Sequence, residues 1–207
     1  MQEFDDLLAV AERLLGPNGC PWDLTQTFLT LQTYVLEEAH EVVDAVDRGN
    51  DDEIAEELGD LLYTVIFYAV LAKKEGRFTI QEIVTKIKEK LIRRHPHVFG
   101  EIQANTVDEI VANWESIKKQ EKKGKELPLS EIPATLPALI RAQKVVRKLM
   151  RTHNALKPVS GAESQTVDET GVGARILREI VRAEEAGIDA EGAVRRALRL
   201  YEEEMKK

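Results

Sequence analysis

Apolar residues recur at three- and four-residue intervals along most of the chain, which predicts an all-α protein. Two helices in the first half show the pattern clearly. Their apolar faces are Leu31, Tyr34, Val35, Val42 and Ala45 in the first, and Ile54, Leu58, Leu61, Val65 and Tyr68 in the second. The segment from Asp47 to Asp52 is short and contains Arg-Gly-Asn, so we expect an antiparallel helical hairpin.

Acidic residues interrupt both apolar faces. Glu38 lies in the middle of the first face, and Glu41 lies at its edge because residues three apart are neighbours on a helix surface. Glu57 lies within the second face, and Asp60 follows it by one turn. If the hairpin register brings these four residues together, their carboxylates repel by roughly 3 kcal/mol per close pair at an effective dielectric near 20. We therefore expect a cation between them, and oxygen ligands favour magnesium or manganese.

Capping residues predict where the helices begin. Asn50 with Glu53, Thr79 with Glu82, and Thr106 with Glu109 have the spacing of capping boxes. In the first half, the predicted helices span residues 2–15, a helix that starts between Thr27 and Thr30, about Asn50 to Gly76, Thr79 to about Arg94, and Thr106 to about Lys123. In the second half, they span Ala138 to about Arg151, about Ala174 to Glu185, and Ala190 to Lys206. Residues 152 to 173 are predicted to form a loop.

Composition limits the class of protein. The chain has 207 residues and a net charge of -8, with 4 basic against 17 acidic residues in 1–76 and 17 against 9 in 77–157. The acidic balance and the lack of a recognition motif argue against direct nucleic-acid binding. No signal sequence or membrane-length apolar run is evident, so the expected compartment is the cytoplasm. The single cysteine, Cys20, agrees with a reducing environment.

Two further features are candidates for nucleotide binding. Cations and imidazoles gather at the end of the helix before Pro96, namely Lys86, Lys90, Arg93, Arg94, His95 and His97. They either complement the helix dipole or hold phosphate groups. Trp22 lies in a polar loop, where it either covers the core or stacks on a ligand ring.

Together, these motifs resemble the MazG family of nucleoside triphosphate pyrophosphohydrolases over about residues 1 to 125. The residues that carry the resemblance are Cys20-Pro21-Trp22-Asp23, Gln26-Thr27, Tyr34, Glu37-Glu38, Glu41, Glu57-Leu58-Gly59-Asp60 and Arg93 through Gly100. The resemblance implies an all-α MazG-like helical bundle that forms a homodimer or a higher homo-oligomer. It also implies magnesium-dependent hydrolysis of nucleoside triphosphates to monophosphate and pyrophosphate.

By motif position, the resemblance makes Glu38, Glu41, Glu57 and Asp60 metal ligands. The resemblance also implies that Glu37 binds a second metal or orients the attacking water. Without the resemblance, its place on the flank of the helix indicates a solvated acid. Our hypothesis for the substrate is that Lys90, Arg93 or Arg94 holds the outer phosphates and that Trp22 or Phe28 stacks on the base. The base and sugar preferences stay open.

The second half departs from the family pattern. Residues 132 to 151 and 174 to 207 resemble the flanks of a second copy, but the loop around Ser160 to Gly173 replaces its acidic hairpin. We therefore expect a catalytic domain at 1–125 and a degenerate half at 126–207 that serves dimerisation or support. The alternative to an enzyme is a non-catalytic metal-binding module that recruits a partner through the apolar stretch from Leu61 to Ala72.

Overall fold

The computed structural model describes residues 2–121, 129, 132–152, 159–161 and 167–206. All regular structure within these ranges is helical, which confirms the predicted all-α class. The α-helices are α1 (Gln2–Leu14), α2 (Leu31–Arg48), α3 (Asp51–Lys74), α4 (Ile80–Arg94), α5 (Pro96–Phe99), α6 (Val107–Glu121), α7 (Ala138–Thr152), α8 (Glu169–Glu185) and α9 (Ala190–Met205), and a 3₁₀ helix spans Asp23–Thr25. In this described part, no helix combines the length and the apolar character needed to cross a bilayer.

The chain forms two compact units, a first unit of residues 1–117 and a second unit of residues 118–207. The core of the first unit is built around the C-terminal half of α3. Its buried residues are Ala11, Leu15, Leu31, Ile66, Phe67, Val70 and Leu71. Lys73 and Lys74 attach the end of α3 to α1, through a 2.7 Å ion pair with Glu12 and a 2.7 Å hydrogen bond to the Leu15 carbonyl oxygen.

The connection between α2 and α3 consists of Gly49 and Asn50. Gly49 has a φ of 72°, a left-handed conformation that glycine adopts without steric cost. The Asn50 side chain then accepts hydrogen bonds from the backbone N–H groups of Asp52 and Glu53 at 3.2 and 3.5 Å. Arg48 joins the two helices by donating to Glu53 at 2.8 Å and pairing with Asp44.

The predicted caps of the later helices are observed. Thr79 and Glu82 form a reciprocal capping box at the start of α4. The Thr106 hydroxyl accepts from the Glu109 N–H at 3.2 Å at the start of α6. Helix α4 ends before Pro96, as predicted, but Pro96 then begins the one-turn helix α5, which the sequence pattern did not predict.

The loop from α1 to α2 folds tightly back on α1. The Cys20 N–H donates to the Leu14 carbonyl oxygen at 2.9 Å. A Cβ atom at position 19 would lie 2.0 Å from that oxygen, so only glycine fits there. At the far end of the loop, the Tyr68 hydroxyl donates to the Phe28 carbonyl oxygen at 3.2 Å, which attaches the loop to α3.

The second unit contains α7, α8 and α9. Its small core has Val146, Ile180 and Ala190 buried. The buried Gln143 amide connects the helices: it donates to Glu184 at 2.9 Å and to the Ile188 carbonyl oxygen at 2.7 Å, and it accepts from the Ala190 N–H at 2.9 Å. Every hydrogen-bonding position of this amide except one oxygen lone pair is therefore used.

Some predicted boundaries and buried positions were wrong. Helix α8 begins at Glu169, five residues before the predicted Ala174, because the Asp168 carboxylate caps it by accepting from the Gly171 N–H at 2.7 Å. Leu58 and Val65 were assigned to an apolar face but are exposed, since the buried face of α3 turns toward Ile66 and Phe67.

Other predictions concern residues outside the described ranges. These are the end of α6 near Lys123 and the predicted loop at residues 153–158 and 162–166.

We predict that Asn50→Ala lowers the free energy of unfolding by about 1 kcal/mol, because two N–H groups at the start of α3 lose their acceptor. Urea denaturation measures this change. Asn50→Ser is the matched control, since serine is also a good N-cap and should retain most of the stability. Equal destabilisation by serine and alanine would contradict the capping role.

Candidate metal centre

Three of the predicted ligands converge between α2 and α3. Glu38, Glu41 and Glu57 each offer one carboxylate oxygen, and these three oxygens lie within 4.8 Å of one another. Glu38 and Glu41 are one turn apart on α2, and Glu57 comes from the second turn of α3. Glu38 and Glu57 are partly buried whereas Glu41 is exposed, so the cluster is open to solvent on one side.

The pKa values of two of these carboxyl groups are raised. For Glu38 the largest cause is partial burial, followed by the negative charges of Glu41 and Asp60 and a hydrogen bond with Glu41. The pKa of Glu57 is raised first by desolvation and then by the charges of Glu41 and Asp60, while the positive charge of Arg48 opposes the shift. Both shifts mean that the ionised cluster carries unfavourable charge when no cation is present.

The cluster suits a hard divalent cation. Its donors are carboxylate oxygens, which magnesium and manganese prefer, and it contains no sulfur or imidazole donor. Magnesium normally takes one or two carboxylates and keeps several waters. Any two of these three carboxylates supply that number, and the exposed side of the cluster admits water, so the residues present fit a magnesium site.

The other two predicted acids are not members of the cluster. Asp60 lies one turn beyond Glu57, near enough to raise the pKa of both Glu38 and Glu57. Its carboxylate is not among the oxygens that converge. Glu37 is exposed on the flank of α2, also outside the group. Asp60 therefore contributes to the negative field of the site, whereas Glu37 faces solvent beside it.

The loop that precedes α2 lies next to this site. Trp22 is half exposed and makes an edge-to-face contact with Tyr34, with the ring centroids 5.6 Å apart. Tyr34 is four residues before Glu38, so the two share one face of α2. Trp22 therefore contacts a residue that lies one helical turn from Glu38, and part of its indole is open to solvent.

Sequence reasoning missed a buried acid in the same loop. Asp23 is 7% exposed and lies close to Tyr63 of α3. The pKa of the Tyr63 hydroxyl is raised by burial first, then by the negative charge of Asp23 and by Cys20. The available signal was the place of Asp23 in the Cys20-Pro21-Trp22-Asp23 motif, and a motif position does not distinguish a buried acid from an exposed one.

The predicted cationic residues lie on a different helix from the cluster. Lys90, Arg93 and Arg94 occupy the end of α4, which packs against α3. The Arg94 guanidinium lies 5.3 Å from the centroid of the Trp114 ring, a cation–π contact with α6. The His95 ring contacts the same indole at 5.0 Å. Trp114 therefore fixes the end of α4 where these cations are carried.

Comparison with known proteins gives an independent view of this chain. The model of the MazG nucleotide pyrophosphohydrolase domain matches residues 26–99, a range that contains Glu37, Glu38, Glu41, Glu57 and Asp60. This chain also matches the crystal structure of a mazG-related protein from Thermotoga maritima. The match covers 56% of this chain and 98% of the chain in that structure, with 30% sequence identity and a TM-score of 0.49.

Two curated relatives extend over most of the chain. A nucleoside triphosphate pyrophosphohydrolase of Escherichia coli strain K12 is 44% identical over 181 residues, which are 84% of this chain and 69% of that protein. The nucleoside triphosphate pyrophosphohydrolase/pyrophosphatase MazG of Thermotoga maritima is 35% identical over 219 residues, covering 99% of this chain and 84% of that protein. The chain belongs to the MazG family of nucleoside triphosphate pyrophosphohydrolases.

Proposed function

We propose that this protein hydrolyses nucleoside triphosphates to nucleoside monophosphates and pyrophosphate, and that the reaction depends on magnesium. The observation that carries the proposal is the convergence of Glu38, Glu41 and Glu57 in a member of this family. Phosphoryl chemistry requires charge neutralisation and positioning more than it requires covalent groups on the protein. An open acidic site that can bind a divalent cation supplies the charge neutralisation.

The proposed ligands are Glu38, Glu41 and Glu57, with Asp60 as a fourth. Magnesium bound there would neutralise phosphate charge and increase the acidity of a bound water. The protein's own residues orient the reactants. Glu37, on the adjacent flank, is proposed to hold the attacking water by accepting its hydrogen bond, or to bind a second ion. Manganese, with similar ligand preferences, is expected to substitute.

The substrate is proposed to extend from the acidic cluster toward two groups of residues. The half-exposed Trp22 ring, one turn from Glu38, offers a face on which a base can stack. Lys90, Arg93 and Arg94 at the end of α4 are proposed to hold the outer phosphates through charge-assisted hydrogen bonds.

The domain roles follow from where the acids lie. We propose that residues 1–125 form the catalytic domain and that 126–207 form a degenerate second half that supports assembly. An assembly of at least two chains is supported by Leu58, Leu62 and Val65 of α3, exposed apolar residues at the four- and three-residue spacing of a helix interface. Sedimentation velocity measures the number of chains. The proposed compartment is the cytoplasm.

We predict that Glu38→Gln reduces magnesium-dependent turnover by at least about 100-fold. Outer-shell residues that only orient a metal ligand typically account for about 10- to 100-fold, and Glu38 is proposed to bind directly. The measurement is pyrophosphate release from a panel of ribo- and deoxynucleoside triphosphates, with magnesium and with a chelator. The panel also reports the base and sugar preference.

Glu56→Gln is the matched control, because it removes the same charge from an exposed position beside Glu57. It should retain most of the activity, and Glu38→Gln should retain the wild-type circular dichroism spectrum. If the folded wild-type protein binds magnesium but releases pyrophosphate from none of the nucleotides, the proposal fails. That result would favour the non-catalytic metal-binding module.

We predict that Glu38→Gln raises the stability of the metal-free protein at pH 7. Burial and neighbouring acids raise the pKa of Glu38 in the folded state, so the folded protein holds the Glu38 proton more tightly than the unfolded chain does. This difference contributes to folding stability, and the contribution is complete below the ordinary carboxyl pKa. That contribution is lost as the pH rises through the raised value. Thermal unfolding with a chelator should therefore show the variant to be more stable at pH 7 and similar to the wild type near pH 4.

Magnesium should reverse this order at pH 7, because a ligand that binds only the folded state stabilises it. It should raise the midpoint of thermal unfolding more for the wild type than for the variant. An equal rise in both proteins would show that magnesium binds elsewhere.

We predict that Lys90→Gln raises the KM for the triphosphate about 10- to 100-fold, the effect of losing one charge-assisted hydrogen bond. Lys88→Gln on the same helix is the matched control, because residues two apart point to different faces. Magnesium affinity without nucleotide should be unchanged in both variants. A KM equal to that of the wild type would remove Lys90 from the substrate site.

A further inference from the structure

One face of α9 is apolar and exposed along its length. Val194, Leu198, Tyr201 and Met205 are each more than half exposed. Their spacing of four, three and four residues is that of the apolar seam of a coiled coil. The buried residues of α9 are Ala190 and Gly192, both in its first turn. Among the described residues, the remainder of the helix therefore adds no buried residue to a core. An isolated helix of this length is marginal in water.

After Glu191 in its first turn, α9 carries its basic and acidic residues in separate segments. The basic residues Arg195, Arg196 and Arg199 precede the acidic residues Glu202, Glu203 and Glu204. A parallel pair of α9 helices in register would place arginines beside arginines and glutamates beside glutamates. An antiparallel pair instead places the basic part of each helix beside the acidic part of the other, and so the charge order favours antiparallel self-association.

We propose that α9 of one chain pairs antiparallel with α9 of a second copy about a twofold axis. The apolar seam fixes the register. Val194 lies opposite Met205 of the partner subunit, and Leu198 lies opposite Tyr201 of the partner subunit. Each apolar residue then meets another across the axis, and twofold symmetry repeats both contacts. In this register Arg195 flanks the seam on the same side as Glu202 of the partner subunit, which makes an attractive pair.

This surface differs from the exposed residues of α3, and it belongs to the second unit. It gives the half of the chain that lacks the acidic hairpin a specific role in assembly. The inference does not rest on the proposed hydrolysis, because the seam and the charge order lie outside the family-matched residues 26–99.

Cysteine cross-linking tests the register. In a Cys20→Ser background, purified Val194→Cys and Met205→Cys chains are mixed at equal concentration, allowed to exchange and oxidised. We expect a disulfide-linked dimer in the mixture. Val194→Cys alone should not form it, because antiparallel pairing separates its two copies by 11 residues, or about 16 Å of helix. A disulfide requires Cα atoms within about 7 Å.

The matched control is a mixture of Val194→Cys with Glu203→Cys, in which the second cysteine lies at a similar height on α9 but points away from the seam. It should link at least about tenfold more slowly than the seam pair. Linking by Val194→Cys alone would show parallel pairing and overturn the proposal. Failure of the Val194 and Met205 pair to link in folded protein would also overturn it, whether the chain is monomeric, assembles elsewhere or covers α9 with another protein.

A charge exchange tests the same register by affinity. Arg195→Glu and Glu202→Arg each replace two attractive contacts of the dimer with repulsive ones, and each should weaken dimerisation about tenfold. The double variant Arg195→Glu/Glu202→Arg should recover most of the loss. Sedimentation equilibrium measures these affinities, and no recovery in the double variant would contradict the proposed pairing. Nucleotide hydrolysis is assayed separately, so failure of either proposal is distinguishable.

Discussion

The tight connection between α2 and α3 is the constraint on which the acidic site depends. Gly49 reverses the chain in a left-handed conformation, and Asn50 starts the next helix at once. A connection of two residues holds the end of α2 close to the start of α3, and this limits how far the two helices can slide along each other. It therefore fixes which residues of α3 lie opposite Glu38 and Glu41. The geometry of a two-residue turn therefore decides whether three acids form a site or remain separate surface charges.

The hairpin tolerates this concentration of charge because its two ends have different roles. Around Glu57, α3 carries partly exposed acids, and their negative charges contribute to the raised pKa of Glu57. Toward its other end, the same helix supplies Ile66, Phe67 and Val70 to the core. Burial of each large apolar side chain contributes about 1.5 to 3 kcal/mol. The core end thus offsets the electrostatic cost at the site end, and a bound cation would reduce that cost directly.

The two units differ in the polar groups that their helices carry. The first unit contains the match to the MazG domain and the converging acids. In the second unit, the buried polar group is the neutral Gln143 amide, whose hydrogen bonds connect three helices. A neutral amide with nearly all its hydrogen bonds made stabilises the unit without requiring a cation. This contrast supports a chemical role for the first unit and an architectural role for the second.

The sequence by itself determined the helices and the residue types of the site. Caps such as Thr79 and Thr106 were predictable because their hydrogen bonds join residues three positions apart. The positions of Glu38 and Glu57 on helix faces were predictable because helical periodicity is also local. The tertiary structure alone decided that the carboxylate of Glu41 converges with theirs, that Asp23 is buried, and that Leu58 is exposed. These outcomes depend on how separate helices and loops pack together, and no local pattern specifies distances between residues on different elements.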